Sequence, residues 1–308
     1  MQGLEVARRF FLEWGQPYLR QRFPALADHM AAGVFRGSQV LGADDEWSRD
    51  HGWGPQFVLL LPEVDYVAHG DEVERALQAE APREWLGYRI AFPASNIEVS
   101  SVDRYWMHWL GFATPPAEWR AWLGGTPHSG AREHELYLLR HGQVFADPQG
   151  ELAARRVAFA HYPEPAWLHR VWEETFATWH YGQYNLCERL VHRDDPITAQ
   201  MALGRFVDAV MRLGLLLERD YTPYWKWLAH EFRKQPVATQ LDSPLRQVCE
   251  PQPREELARR VGQVCQIVHE LLEAAGLASR DLTTHPHSLF RDQTALRARL
   301  DAEQASEG

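Results

Sequence analysis

The stretch Arg36–Pro55, RGSQVLGADDEWSRDHGWGP, decides which fold the chain is predicted to adopt. It holds a Gly-Ser pair, four acidic residues and three further glycines within twenty positions, and the apolar run FVLLL follows. Residues 31–36 and 56–61 are typical of two β-strands, and the second is apolar throughout, as expected of a buried central strand. Gly37 provides the tight turn after the first strand, because it tolerates backbone angles that a side chain would forbid.

This loop places an anion-binding turn near a carboxylate. The turn at Gly37 would present backbone N–H groups and the Ser38 hydroxyl to an anion. Asp50 lies twelve positions after Ser38, shortly before the second strand, and would approach that anion if the two strands pair. Phosphoryl or nucleotidyl transfer uses this arrangement, since carboxylates hold Mg²⁺ against phosphate oxygens. A polar surface loop between two strands is the alternative explanation of the same pattern.

The segment resembles the signature of a bacterial family known as domain of unknown function 4037. The positions that match this signature are Gly37, Ser38, Asp44, Asp45, Ser48, Arg49, Asp50, His51, Trp53, Gly54 and Pro55. The resemblance continues more thinly to about residue 235. This family is similar to the nucleotidyltransferase superfamily, so the resemblance implies a nucleotidyltransferase-like mixed sheet with flanking helices.

The resemblance also implies roles for individual residues. Gly37 and Ser38 would hold the phosphates of a nucleoside triphosphate, and Arg49 would neutralise phosphate charge. Asp50 would bind Mg²⁺ together with a carboxylate from a later strand, and Glu98 in the run NIEVSS fits that description. Glu98 would also take a proton from the acceptor. A solvent-facing Glu on an edge strand explains Glu98 equally well.

One position departs from the family pattern. Gly52 stands where the family has the second acid of an Asp-His-Asp triplet. Because two-metal transfer uses carboxylates to hold both ions, Asp44 or Asp45 would have to replace that acid. The predicted metal ligands are therefore Asp50, Glu98, Asp44 and Asp45, with Asp50 and Glu98 as the catalytic pair.

Composition narrows the expected partners. The formal net charge of −10 argues against non-specific binding to nucleic acid or to membranes. The three cysteines are widely spaced, the N-terminus carries charges too early for a signal peptide, and no apolar run reaches the length of a membrane span. We therefore expect a cytoplasmic protein whose partners are a nucleotide and an unknown small-molecule or protein acceptor.

The whole chain indicates an α+β architecture in three parts. We expect a nucleotidyltransferase-like domain over residues 1–155, a helical bundle that could bind substrate over 156–276, and a C-terminal helix with a mobile tail over 277–308. Helical periodicity predicts helices at residues 3–22, 71–80, 165–192, 196–219, 222–234 and 254–276. Asp103 is expected to cap a helix N-terminus. Lys226 lies among aromatic residues and could meet a phosphate or an acidic substrate, although a Lys whose stem covers a packed helix is commoner.

Two functions are compatible with the sequence. The first is metal-dependent transfer of a nucleoside monophosphate to an unknown acceptor. The second is a nucleotidyltransferase fold that has lost transfer and binds a nucleotide or another ligand, which Gly52 favours. The two differ in whether Asp50, Glu98 and either Asp44 or Asp45 lie within reach of shared metal ions.

Overall fold

The chain forms two compact units in the computed structural model, which describes residues 1–49, 53–90, 96–124, 131–281 and 283–306. The units are Met1–Ala117 with Gly125–Ala160, and Glu118–Gly124 with His161–Gly308. The first unit contains a mixed sheet with helices and the second is helical, so the predicted α+β fold class is confirmed. The predicted domain limits at residues 155 and 276 stay predictions.

The first unit is built on a four-stranded mixed sheet. Its strands are β1 (Ala31–Val34), β2 (Phe57–Leu61), β5 (Ile97–Ser101) and β6 (Gln143–Ala146), while β3 (Glu84–Trp85) and β4 (Tyr88–Arg89) form a separate antiparallel pair. The order in the sheet is β5-β2-β1-β6. β2 pairs antiparallel with β1 and parallel with β5, so the apolar run is an internal strand, as predicted.

Alternation along β2 and β5 gives the sheet two different faces. On one face, Phe57, Leu59 and Ile97 belong to the main hydrophobic cluster, which the first helices of the chain also enter. On the other face, Val58 pairs with Glu98 in the parallel register. Glu98 therefore projects from the face opposite to the main core.

Helices cover the sheet of the first unit. They are α1 (Gly3–Phe10), α2 (Gln16–Arg22), α3 (Glu63–Glu80), α4 (Val102–Leu110), α5 (Ala131–His141) and α6 (Glu151–Ala158). A π-helical turn at Phe11–Gly15 joins α1 to α2, which confirms the predicted helix at 3–22. The predicted helix at 71–80 is the second half of α3. The helix begins earlier, at Glu63, where the acidic side chains of Glu63 and Asp65 in the first turn suit a helix N-terminus.

The second unit consists of helices. They are α7 (Glu164–Trp179), α8 (Pro196–Leu217), α9 (Trp225–Phe232), α10 (Ala238–Cys249), α11 (Arg254–Ala274) and α12 (Ser288–Ser306). α7 continues into a π-helical segment, His180–Cys187. Together they cover most of the helix predicted at residues 165–192. α10 was not predicted: Pro244 lies inside it and masks the pattern set by buried Leu241, Leu245 and Val248.

The prediction that Asp103 caps α4 is wrong. The N-cap is Ser101, whose hydroxyl oxygen accepts a hydrogen bond from the backbone N–H of Arg104 at 3.2 Å. α4 starts directly at the end of β5, so Asp103 falls within the first helical turn. There its carboxylate forms an ion pair with Arg155 at 2.5 Å.

Two findings concern membrane-spanning helices and the cysteines. Within the described ranges, every helix is too short or too polar to cross a membrane. Cys187, Cys249 and Cys265 are free thiols rather than members of a disulfide framework. Burial raises the pKa of the Cys187 thiol to about 11, so this thiol stays protonated at neutral pH.

Replacement of Leu59 by Ala should lower the free energy of unfolding by about 2–5 kcal/mol. Leu59 lies on the internal strand with 0% of its surface exposed, and truncation leaves a cavity between sheet and helices. Val67→Ala on α3 is the control, because Val67 is 68% exposed, and it should change the value by less than about 0.5 kcal/mol. Urea denaturation measures both values, and equally small losses would contradict the central position of β2.

Candidate functional site

A pocket of about 350 Å³ opens at one end of the sheet of the first unit. Its wall contains the end of β1 with the following turn, the starts of β2 and β5, and one residue of α4: Val34–Gly37, Gln56–Val58, Asn96, Glu98 and Trp109. Because β1 is antiparallel to β2 and β2 is parallel to β5, the end of β1 and the starts of the other two strands meet at the same edge. Gly37 and Glu98, predicted from distant stretches of sequence, therefore line one pocket.

Glu98 is partly buried in the wall of this pocket. Burial raises the pKa of its carboxyl group, an effect that Glu74 reinforces and that His108 and Arg36 oppose. The carboxyl therefore holds its proton to a higher pH than an ordinary Glu. A carboxylate with a raised pKa that faces a cavity is suited to accept a proton from a bound molecule.

Arg36 brings a positive charge to the pocket directly before Gly37. Its guanidinium carbon lies 3.2 Å from the centre of the Trp109 ring, a cation–π contact. Its Nη1 donates a hydrogen bond to Oε2 of Glu135 at 3.3 Å. The side chain of Arg36 is 39% exposed and that of Glu135 is 13% exposed, so the carboxylate is the more buried partner of this ion pair.

The ionisable groups around the pocket influence one another. Burial raises the pKa of Glu135, while Arg36 and His108 lower it. Tyr105 is buried beside the same groups, and its burial followed by the charge of Glu98 raises the pKa of its phenol well above the usual range. The phenol therefore stays neutral. Among the described residues, the pocket wall carries the guanidinium of Arg36 and the carboxyl group of Glu98, and Glu135 contacts that guanidinium.

The turn after β1 has the geometry that the sequence predicted. Gly37 adopts φ 88° and ψ 162°, a conformation that favours glycine, and the single turn Ser38–Leu41 follows. Ser38 is buried, and its hydroxyl donates a hydrogen bond to the backbone oxygen of Ser48 at 3.0 Å. This bond links Ser38 to the short helical turn Glu46–Ser48, and it uses the hydroxyl proton that was predicted to meet a phosphate.

The carboxylate of Asp44, a predicted metal ligand, bonds to protein groups. Its Oδ2 accepts hydrogen bonds from the backbone N–H of Gly3 at 2.6 Å and from Nε1 of Trp53 at 2.8 Å. The residue is 8% exposed. Asp44 therefore fastens the beginning of α1 to the loop before β2, and it is absent from the described lining of the pocket.

The described side-chain contacts of Asp45 and Arg49 lie within their own loop. Asp45 caps a short helical turn, since its Oδ1 accepts a hydrogen bond from the backbone N–H of Trp47 at 3.1 Å. Arg49 donates from Nε to the backbone oxygen of Asp44 at 3.4 Å, and its guanidinium carbon lies 4.8 Å from the centre of the Trp53 ring. Neither Asp45 nor Arg49 is among the described residues of the pocket wall.

The predicted magnesium site depends on Asp50, which lies outside the described residues, as does Gly52. Among the residues that the structure does describe, no cluster of three or more His, Cys, Asp or Glu is placed to hold a metal ion. Asp44 and Asp45 bond to protein groups, which leaves Glu98 as the predicted ligand that lines the pocket. These donors alone do not fit a two-metal centre.

Lys226 belongs to the second unit, where it is exposed on α9. Its Nζ lies 4.9 Å from the centre of the ring of Trp227, the next residue in the chain. This contact is that of a lysine lying along an aromatic side chain of its own helix. The predicted role of Lys226 in binding a phosphate stays a prediction.

A second, wider cavity of about 900 Å³ shares Glu98 with the pocket. Its wall is formed by α3, β5 and α4 together with Ala113. In this wall Arg104 donates to Oε1 of Glu63 at 2.9 Å, so these two charges compensate each other. Glu98 thus borders two cavities of the first unit.

Sequence reasoning did not assign Arg36, Trp109 or Glu135 to the site. Arg36 could have been found, because a cation directly before a Gly-Ser turn is well placed to meet an anion. Trp109 lies on α4 and Glu135 lies on α5, and both contact Arg36. No spacing in the sequence reveals that these two helices pack at the end of the sheet.

Comparisons with known proteins agree with the predicted resemblance over part of the chain. Residues 129–228 match the model of the family described as a domain of unknown function, DUF4037. This range includes Glu135 but not Gly37 or Ser38. The chain is also similar to a solved structure of a nucleotidyltransferase-like protein from Exiguobacterium sibiricum 255-15, with 10% identity, a TM-score of 0.37 and coverage of 85% of this chain and 76% of that chain. No curated protein matches the chain.

Replacement of Asp44 by Ala should lower the free energy of unfolding by about 2–4 kcal/mol, because a buried N–H and an indole N–H lose an ionised acceptor. Asp45→Ala is the matched control, since it removes one exposed capping bond and should cost about 1 kcal/mol. Urea denaturation with and without Mg²⁺ measures both. If Mg²⁺ stabilised the native protein and Asp44→Ala abolished only that effect, Asp44 would be a metal ligand instead.

Proposed function

We propose that the chain is a nucleotidyltransferase-like protein that binds a nucleotide through its phosphates in the pocket at the end of the sheet. The observation that carries this proposal is the meeting of Arg36, Gly37 and Glu98 around one cavity of about 350 Å³. A cavity of this size with a few convergent polar groups is typical of small-molecule sites. The proposed location of the protein is the cytoplasm.

Arg36 and Gly37 are the groups that suit a phosphate. A guanidinium presents its N–H groups in a planar fork that matches phosphate oxygens, and the bond to Glu135 uses one of its five N–H groups. The absence of a side chain at Gly37 lets a phosphate approach the backbone. In this proposal Arg36 takes the position that sequence reasoning gave to the Ser38 hydroxyl, which bonds to Ser48.

The carboxylates favour binding over two-metal transfer. Asp44 and Asp45, which would have to replace the acid missing at Gly52, accept hydrogen bonds from protein groups. Mg²⁺ therefore enters the proposal as an ion that accompanies the nucleotide phosphates, and Asp50 is the residue through which the protein would hold it. The ligand-binding function needs neither Asp44 nor Asp45.

A transferase is the second candidate function, and the position of Glu98 favours it. A transfer reaction brings a donor and an acceptor to one reacting centre, and Glu98 borders both the pocket and the 900 Å³ cavity. With a nucleoside triphosphate in the pocket, the wider cavity would receive the acceptor.

The role of Glu98 in such a transfer follows from its raised pKa. An oxygen of the acceptor would form a bond to the α-phosphorus, and the bond from that phosphorus to the bridging oxygen would break, which releases pyrophosphate. Glu98 would take the proton of the attacking hydroxyl group. No step is assigned to a metal ion.

Calorimetric titration with ATP, CTP, GTP and UTP, each with and without Mg²⁺, tests nucleotide binding. We expect the native protein to bind at least one of them, and Arg36→Gln to weaken that binding by about 10- to 100-fold through loss of charge-assisted hydrogen bonds. Asp50→Ala should remove any dependence of the affinity on Mg²⁺.

Arg22→Gln is the matched control for this titration. Arg22 lies in the same unit, has 60% of its side chain exposed and is 3.9 Å from Glu72, so its loss should leave the affinity unchanged. Absence of binding by the native protein to all four nucleotides would contradict the proposal, and so would equal affinities of the native protein and Arg36→Gln.

If the protein transfers nucleotides, the rate should rise with pH through the pKa of Glu98. A general base acts when it is deprotonated, and burial places this pKa above that of an ordinary Glu. Release of pyrophosphate from the nucleotide that binds, measured from pH 5 to pH 9, should show this rise in the native protein and a loss of rate in Glu98→Gln. An unchanged rate in Glu98→Gln would exclude Glu98 as the base.

A further inference from the structure

We infer that Glu135 is a positioning residue, which fixes the guanidinium of Arg36 against Trp109 so that its remaining N–H groups meet an anion in the pocket. This inference deepens the proposed function and rests on it. It concerns a residue that contacts Arg36 and is absent from the described pocket wall.

Two contacts of Arg36 restrict different motions of its guanidinium. The stack on Trp109, at 3.2 Å from the guanidinium carbon to the ring centre, holds the guanidinium over the aromatic face. A stack of this kind does not select which edge of the guanidinium points where, because the attraction comes from the whole face of the ring. The bond from Nη1 to Glu135 at 3.3 Å supplies that selection.

This arrangement reduces the conformational entropy that Arg36 loses when an anion binds. An arginine side chain has many rotamers, and holding it in one of them costs conformational entropy when nothing else fixes it. A guanidinium that is already oriented in the unbound protein does not incur that cost when a phosphate binds. Preorganisation of this kind increases affinity without adding a contact to the ligand.

The burial of Glu135 distinguishes its ion pair with Arg36 from an ordinary surface ion pair. Its side chain is 13% exposed, and it comes from α5, ninety-nine positions along the chain from Arg36. A pair between two exposed groups contributes little, since water screens both charges. Here the carboxylate is mostly withdrawn from water, so its bond to Arg36 is weakly screened and restricts the geometry of the guanidinium more strongly.

The opposite role for Glu135 makes the opposite prediction. If Glu135 competed with the ligand for Arg36, its removal would release the guanidinium and increase the affinity for an anion. If Glu135 positions Arg36, its removal decreases the affinity, and this decrease requires Arg36 to be present. The sign of the change and its dependence on Arg36 therefore distinguish the two roles.

The ionisable groups that face Glu135 influence the pH at which its carboxylate gains a proton. They are Arg36 from the turn after β1, together with His108 and Tyr105 from α4. Burial raises the pKa of Glu135, so its carboxylate gains a proton at a higher pH than an ordinary Glu. As the pH falls through this pKa, the charge that holds Arg36 is lost, and the native protein should approach the behaviour of Glu135→Gln.

Isothermal titration with inorganic tripolyphosphate tests the inference, because this probe carries phosphates without a base or sugar. The proteins are the native chain, Glu135→Gln, Arg36→Gln, the double variant, and Glu13→Gln as a matched control that is paired with Arg9 on the surface of the same unit. At pH 8 we expect Glu135→Gln to bind about tenfold more weakly than the native chain, the cost of one charge-assisted hydrogen bond. Glu13→Gln should bind as the native chain does.

The affinity of the double variant and the pH dependence of the affinities distinguish a positioning role of Glu135 from a role in stability alone. Arg36→Gln and the double variant should bind equally weakly, since Glu135 acts through Arg36. The ratio of the native affinity to that of Glu135→Gln should shrink towards one as the pH falls through the pKa of Glu135, which burial raises above that of an ordinary Glu. Taking the ratio cancels the titration of the probe and of Glu98.

Three results would overturn the inference while leaving the proposed function intact. They are an unchanged or increased affinity in Glu135→Gln, a further loss in the double variant beyond that of Arg36→Gln, and a ratio of affinities that does not vary with pH. If the native chain binds no nucleotide and no tripolyphosphate, the proposed function fails and the inference fails with it.

Discussion

The pairing of β2 with β1 on one side and with β5 on the other is the constraint on which the site depends. It brings the end of β1 and the starts of the other two strands to one edge, and its register places Glu98 beside Val58 on the face opposite to the main core. A shift of one residue would move Glu98 into the apolar cluster and would expose Ile97 or Val99. The packing of that cluster therefore fixes the position of the carboxylate in the pocket.

The sequence predicted the sheet better than it predicted the site. Continuous apolar residues in β2 and a glycine that needs a positive φ are local features, so β2 and the turn at Gly37 follow from them. The placement of Glu98 near this turn was implied by the family resemblance and depends on long-range strand pairing. The roles of Ser38 and Asp44 were not predictable, because their partners, Ser48 and Gly3, are selected by how the loop folds back. The same limitation applies to Glu135, which meets Arg36 only after its helix has packed against the end of the sheet.

Four acidic residues near the sheet form two groups with different physical consequences. Asp44 and Asp45 accept hydrogen bonds from N–H groups of the protein, so their charges stabilise the loop before β2. Glu98 and Glu135 lie partly buried near one guanidinium, and burial raises the pKa of each. The second group holds its protons to a higher pH than ordinary Glu side chains, because burial disfavours the charged form. We regard this difference as the strongest reason to look for ligand binding at Arg36 and not within the acidic loop.

A crystal structure of the native chain soaked with the nucleotide that binds best would test the central claim most directly. The account predicts that its phosphates occupy the pocket, with a phosphate oxygen within hydrogen-bond distance of Arg36 and next to the backbone of Gly37. A nucleotide bound elsewhere on the first unit, or bound with its phosphates turned away from Arg36, would contradict the account.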